Sequence, residues 1–540
     1  MPLRWRSYTR RRPATTAKSH HSGQVTINTL PDEVLLEIFD FFLYGSKCIE
    51  GWHPLVHVSR KWRNIIFGSP RRLSLHICCT ARTRVKENLH IWPALPIIID
   101  GSYCPSSSVD NIVAALGRND RVCEVMFGHT SSSLWEIVLG AMQVPFLELT
   151  RLHFESKDET VPVVPDSFLS GSAPPLRSLT LDGILFPGLS KLLLSTTDLV
   201  DLSLSNIPHS GYIAPQEMAT CLSALTRLKS LSLNFQSPRS RPDPGSWWPH
   251  PAARSVLPAL TELRFTGVSE YLEDLVARID APILHVLDIR FFLQLIFDTP
   301  QLSQFINRTP QLNTHDEAQV VFSDSGASVS LPRTFDHKGL ELGISCRQID
   351  WQLSSLAQVC SSCFPQALIS AVEHLYIVER RVSPHHTEDD IENSQWLELF
   401  HPFTAVRNLY LSKEFAPRVI TALQEFVGDR ATCVLAEGRV IHMLFVGDRA
   451  TCVLPALQLL HLEAPPMLWT SPGDHRGDRS CATAPQTPVN RFQTGQCTAY
   501  SGWPVIYISV AIQIFRFVHL HATILFNTHR LVGLGSDPRY

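Results

Sequence analysis

Leu176-Arg177-Ser178-Leu179-Thr180-Leu181, followed by Leu199-Val200-Asp201-Leu202-Ser203-Leu204 and Leu228-Lys229-Ser230-Leu231-Ser232-Leu233, is the stretch on which the fold turns. Each hexapeptide reads L-x-x-L-x-L. The last two apolar positions are two residues apart, the side-chain period of a strand, and the first turns the chain inward. The pattern continues outward as Leu149, Leu152, Phe154; Leu260, Leu263, Phe265; Leu284, Leu287, Ile289; Val372, Leu375, Ile377; Val406, Leu409, Leu411; and Leu457, Leu460, Leu462. Nine matches to one template define a repeat array, in which each unit buries its apolar face only against its neighbours.

Successive units are 23 to 34 residues apart where the template is clear, wider than the about 20–29 residues of regular repeats of this kind. Helical segments such as Leu272–Ile279 fill the gaps. Between Ile289 and Val372 the template lapses, and Val320-Val321-Phe322 and Leu340–Ile344 are expected as degenerate strands. The Pro-rich interruption from Ser237 to Pro251 reads as a surface loop. Its Trp247 and Trp248 are candidate anchors for a bound target, because large apolar rings left on a surface serve interfaces. The competing reading folds them back onto the repeat core.

The N-terminal part follows another pattern. In Leu30-Pro31-Asp32-Glu33-Val34-Leu35-Leu36-Glu37-Ile38-Phe39, proline suits the first helical turn and the two acids complement the positive end of the helix dipole. Val34, Leu35, Ile38 and Phe42 make one apolar stripe, and Gly45 marks its end. Leu55, Val58, Trp62, Ile65 and Ile66 form a second helical stripe, stopped by Gly68 and Pro70. Two helices this short need a partner to bury their stripes, either the rest of this chain or another protein.

Residues 30–62 resemble the F-box family, whose pattern is Leu-Pro-x-Glu with helically spaced apolar residues, then an apolar residue and Cys-(Lys/Arg)-x-Trp. The second half stands here as Val58-Ser59-Arg60-Lys61-Trp62, with serine in the place of cysteine. Together with Asp389–Leu399 and the repeats, the wider chain is similar to the large F-box and leucine-rich-repeat families of mushroom-forming fungi. The resemblance implies a substrate-recognition subunit of an SCF-type cullin ubiquitin ligase, working in the cytoplasm or nucleus. Leu30, Pro31, Val34, Leu35, Ile38 and Phe39 would then pack on a Skp-type adaptor and through it reach cullin, with Val58 and Trp62 mainly fixing the hairpin. The target protein is unspecified. The alternatives are a leucine-rich-repeat scaffold with no ligase role, its N-terminus merely capping the array; a degenerate enzyme in 313–365; and a decaying family member.

The fold class expected is α/β: an F-box helical hairpin or three-helix unit, then an irregular leucine-rich-repeat solenoid with parallel strands on its concave face. The layout is a basic tail over 1–26, the F-box over 27–75, a linking α/β segment over 76–144, the array over 145–463 and an aberrant or poorly ordered tail over 464–540.

With 47 basic and 50 acidic residues the formal charge is −3, so the chain as a whole draws neither nucleic acid nor an anionic membrane. The first 31 residues are basic, with Arg4, Arg6, Arg10, Arg11, Arg12 and Lys18, which reads as a disordered tail, a nuclear-import patch or a mitochondrial transit peptide. The apolar run Trp503–Phe515 ends at Arg516, short of the roughly 20 residues of a bilayer span. Thirteen cysteines without a signal-peptide pattern fit reduced thiols. Cys360 and Cys363 lack the second pair that a structural zinc site needs, so no metal or other cofactor is expected. No nucleophile elbow, P-loop or H-E-x-x-H motif occurs, and Gly533-Leu534-Gly535 lacks the context of a dinucleotide site. No residue is assigned a catalytic role.

Phe426–Leu435 recurs without change as Phe445–Leu454, 19 positions later. Val406 to Leu457 spans 51 residues, and removing one 19-residue unit leaves 32, inside the range of the other steps. The extra copy is expected as a bulged-out insertion.

Overall fold

The computed structural model describes the chain between residues 30 and 462, apart from 46–50, most of 81–92, 103–108, 129–130, 157–161, 240–252, 295, 314–315, 333–338, 381–391, 428–430, 437–439 and 446–453. Trp247, Trp248, the basic segment 1–26 and the tail 464–540 lie outside the described residues. The chain divides into two compact units between His76 and Ile77.

In the first unit, α1 (Asp32–Gly45) starts behind Pro31 with two acids in its first turn and ends on glycine. The second apolar stripe is not one helix. It is divided into α2 (His53–Val58) and α3 (Arg60–Gly68) by Ser59, whose backbone is extended at φ −156° and ψ 165°. Ser59 Oγ accepts the Trp62 N–H at 3.2 Å, satisfying one of the four donors that a helix start leaves without a partner. The break therefore arises from local capping chemistry that apolar periodicity does not register. Ser59→Ala is expected to cost about 1 kcal/mol, seen as faster hydrogen exchange across α3, with Ser59→Asp restoring protection.

The second unit is mixed α/β and contains a 17-stranded, mostly parallel sheet. Its early part runs β1 (Ile77–Thr80), β2 (Ile97–Asp100), α4 (Val109–Leu116), β3 (Val122–Gly128), α5 (Ser132–Ala141), β4 (Arg151–Glu155) and β5 (Ser178–Asp182). Next come α6 (Leu189–Ser195), β6 (Asp201–Ile207), α7 (Pro215–Ala224) and β7 (Ser230–Phe235). A two-residue strand, β8 (Ser255–Val256), precedes β9 (Glu262–Gly267) and α8 (Ser269–Val276). It pairs apart from the main sheet with β10 (Ile279–Asp280), after which β11 (Val286–Phe292) rejoins the large sheet. β1 to β7, then β9 and β11, lie side by side in parallel. The segment 76–144, read from sequence as a link, thus supplies the first three strands.

Leu152, Leu179, Leu202, Leu231, Leu263 and Leu287 are successive partners across this sheet, and each is at most 1% exposed. Burying each such side chain stabilises the fold by about 1.5–3 kcal/mol. Consecutive helices also pack on one another, α6 on α7, α7 on α8, and α8 on α9 (Pro300–Asn307). Parallel neighbours require such crossover segments.

Past β11 the succession changes. The chain forms β12 (Glu317–Ser323), turns back as β13 (Gly326–Leu331) and again as β14 (Leu340–Ser345), all antiparallel. β14 lies parallel beside β11, and β12 lies parallel beside β15 (His374–Glu379), which follows α10 (Ile349–Ser362) and α11 (Gln366–Ile369). The lapse in the template is therefore an antiparallel meander. The two segments expected as degenerate strands are β12 and β14, and β13 between them carries only a weak version of that pattern in the sequence. Its Ala327, Val329 and Leu331 alternate into the core between serines. Gly326 starts it because a Cβ there would strike the Ile344 carbonyl oxygen.

The parallel succession resumes with α12 (Asn393–Phe400), β16 (Asn408–Leu411) and α13 (Ala416–Val427). Within the described part of the duplicated region, β17 (Ala431–Ala436) and β18 (Val440–Phe445) form an antiparallel hairpin. β18 pairs antiparallel with β19 (Leu459–His461), which in turn lies parallel beside β16.

One link between helices titrates. Glu273 on α8 accepts the Gln301 and Leu302 N–H groups at the start of α9, at 2.9 and 2.7 Å. Burial, with a smaller contribution from Asp298, still pushes its carboxyl from 4.5 up to about 7. A folded-state value above the unfolded one means the folded chain holds the proton more tightly. This contribution is complete below pH 4.5 and is lost as pH rises through about 7. Urea midpoints should fall between pH 5 and 8, and Glu273→Gln should flatten that slope. An unchanged slope in the variant assigns the titration to another group.

Candidate protein-docking surface

α1 carries apolar residues around much more than the roughly 100° stripe that packing against one core requires. Leu35 and Phe39 are completely buried and Leu36 is 7% exposed. Phe39 lies against Trp62 of α3, ring centroids 4.8 Å apart at 57°, and Trp62 is itself 2% exposed. Val34 and Ile38 are only half-buried, and Phe41, at i+7 from Val34, is 75% exposed. Just before the helix, Leu30 is half-buried and Pro31 exposed, and with Val34, Ile38 and Phe41 on α1 they make up a second apolar strip. Its polar flank is Glu33, Glu37 and Asp40, all exposed.

Of the residues the sequence singles out for an adaptor, Leu35 and Phe39 lie inside the helical unit and offer no surface, since both have no exposed area. Leu30, Pro31, Val34 and Ile38 keep surface. Trp62 fixes the hairpin through Phe39, while Val58, assigned the same task, is 43% exposed at the end of α2. Phe41 was missed, although the i, i+4, i+7 spacing of Val34, Ile38 and Phe41 carried the signal.

Polar links hold the strip in place. Lys61 Nζ donates to the Leu30 carbonyl at 2.8 Å and lies 3.3 Å from the Asp32 carboxylate, tying α3 to the start of α1. Arg72 pairs with Glu37. Arg63 Nε donates to the Val56 carbonyl at 3.0 Å, and Trp52 Nε1 to the His76 carbonyl at 2.9 Å. Burial, then the neighbouring His57, lowers the pKa of His53. The serine at 59 serves this unit as the cap of α3.

In the second unit, Tyr376, Tyr410 and His461 occupy matching positions on β15, β16 and β19. Their rings stack in sequence, Tyr376 on Tyr410 at 4.3 Å and 9°, Tyr410 on His461 at 4.3 Å and 13°. Burial and nearby Glu317 push the Tyr376 hydroxyl up to about 12. Cys360 and Cys363 are both completely buried. Burial raises both thiols, Cys363 to about 12 despite the Thr299 hydroxyl 3.0 Å from its sulfur. Among the described residues no group of three or more His, Cys, Asp or Glu could hold a metal ion. No helix among them is long and apolar enough to cross a membrane.

Comparison with protein-family models finds no match to this chain, and comparison with curated proteins finds none.

Proposed function

We propose that this protein is the substrate-recognition subunit of a cullin-type ubiquitin ligase, with the first unit acting as an F-box on a Skp-type adaptor and the parallel sheet unit, as a leucine-rich-repeat array, holding the target. The observation that carries this reading is the double apolar surface of α1. One half is consumed by Phe39, Trp62 and the rest of the unit, and the other half, ending in a 75% exposed Phe41, is left for a second polypeptide. Exposed large apolar side chains grouped on one element mark interaction sites. The Leu-Pro-x-Glu start and the Val58-Ser59-Arg60-Lys61-Trp62 segment agree with the family in order and spacing. In this role the chain performs no bond chemistry. It raises the local concentration of a target near a conjugating enzyme.

The test is co-purification of the full chain with a Skp-type adaptor and cullin. Stable capture at micromolar concentration is expected, and failure to bind the adaptor refutes the ligase role.

A further inference from the structure

The duplication sets two strands before one place in the sheet. β16 takes β19 as its parallel neighbour, with Asn408 opposite Leu459, Leu409 opposite Leu460 and Tyr410 opposite His461. Nineteen residues earlier than Leu459-Leu460-His461 stands Val440-Ile441-His442, the start of β18. Both strands follow the same ten residues, and in both the histidine comes 16 positions after the phenylalanine, Phe426 to His442 and Phe445 to His461. The step from Val406 to Gly438 is 32 residues, within the range used elsewhere in the array, whereas the step to Leu457 is 51.

We infer that β18 and β19 are interchangeable occupants of the place beside β16. In the exchanged arrangement Asn408 stands opposite Val440, Leu409 opposite Ile441 and Tyr410 opposite His442, so the aromatic ladder again ends in a histidine. The β17–β18 hairpin is given up. The 13 residues between Phe445 and Leu459 meet the length of about a dozen that a parallel crossover needs. β19 can then follow as a further parallel strand, lengthening the array by one unit. The observed arrangement is favoured because Leu457, 3% exposed, has Gly438 as its counterpart. Without that difference little separates the two occupants, since Leu454, 2% exposed, has the identical counterpart Leu435. The inference is independent of the ligase reading, because it rests on pairing inside the sheet.

Cross-linking in the full chain decides it. Neighbouring parallel strands, about 4.8 Å apart, fall within disulfide reach, and strands two places apart, at about 10 Å, do not. Asn408→Cys is combined with Leu459→Cys or with Val440→Cys, and linked peptides are assigned by mass spectrometry to separate them from the native cysteines. The 408–459 product should dominate. A minor 408–440 product should form several-fold above its level in an Ile441→Asp background, where β18 cannot enter the core. Gly438→Leu with Leu457→Gly should invert the two yields. A 408–440 yield no higher than in the Ile441→Asp background, or a ratio unmoved by the swap, overturns the inference. If the swapped variant does not fold, the comparison with Ile441→Asp decides alone.

Discussion

Replacing Val34 and Ile38 together by aspartate should abolish capture of the Skp-type adaptor while the protein keeps its fold. Both side chains are half-buried on the outward strip of α1, so the substitutions place charge where a partner must be dry and leave the Phe39–Trp62 contact untouched. Losing two apolar contacts and burying two unpaired carboxylates weakens binding by at least about 4 kcal/mol, on the order of a thousandfold. Single charges on the opposite flank, such as Glu33→Lys, should change the affinity far less. The measurement is titration of adaptor against full-length variants, with circular dichroism confirming the fold. Retained binding by the double aspartate variant means that the adaptor, if it binds, uses another surface.

The parts of this molecule that were legible in the sequence are those governed by short-range pattern. In all nine matches the middle residue lies on a strand of the main sheet and the first stands two positions before that strand begins, and the middle residues from Leu152 to Leu287 fall in one row of partners. α1 begins and ends where proline, acids and glycine place it. Other features depend on what lies across the chain. β1 to β3 carry Cys79, Ile99 and Val125 in register with the middle leucine of the nine matches, so a leucine template passes over them although they continue the same sheet. β13 alternates too weakly to be read without β12 and β14 on either side.

The duplication gives the clearest case of context deciding structure. Phe426 lies in the last turn of the helix α13, and its copy Phe445 ends the strand β18. Arg418-Val419-Ile420 lies in the same helix, while in the recurring Arg439-Val440-Ile441 the last two residues begin that strand. Identical residues take different conformations because propensity yields to the neighbours on offer. The candidate site was half legible for a related reason. Periodicity shows that α1 is apolar around a wide arc, but not which side turns inward. The sequence therefore points Phe39 to the partner although it packs on Trp62, and does not set Phe41 apart from its neighbours.

That division of α1 into two faces predicts opposite behaviour for residues two positions apart. Phe39→Ala removes a completely buried ring that packs on Trp62 at 4.8 Å, and the cavity should cost about 3–5 kcal/mol. Between Leu30 and His76 the described part of the first unit is about 42 residues, and a helical core of that size has stability on the order of a few kcal/mol. The variant should therefore lose hydrogen-exchange protection across α1, α2 and α3 together, while the strands from Ile77 onward keep theirs. Trp62→Ala should reproduce the loss from the other side of the contact, and the double variant should cost less than the sum of the two, since the single variants share one interaction. Phe41→Ala should leave protection within about 0.5 kcal/mol of the wild type, because a 75% exposed ring contributes little to the free protein. It should nonetheless weaken adaptor binding about tenfold or more, as loss of a large interface anchor does. Equal loss of protection in Phe39→Ala and Phe41→Ala would show that α1 has no surplus face, and the docking surface would go with it.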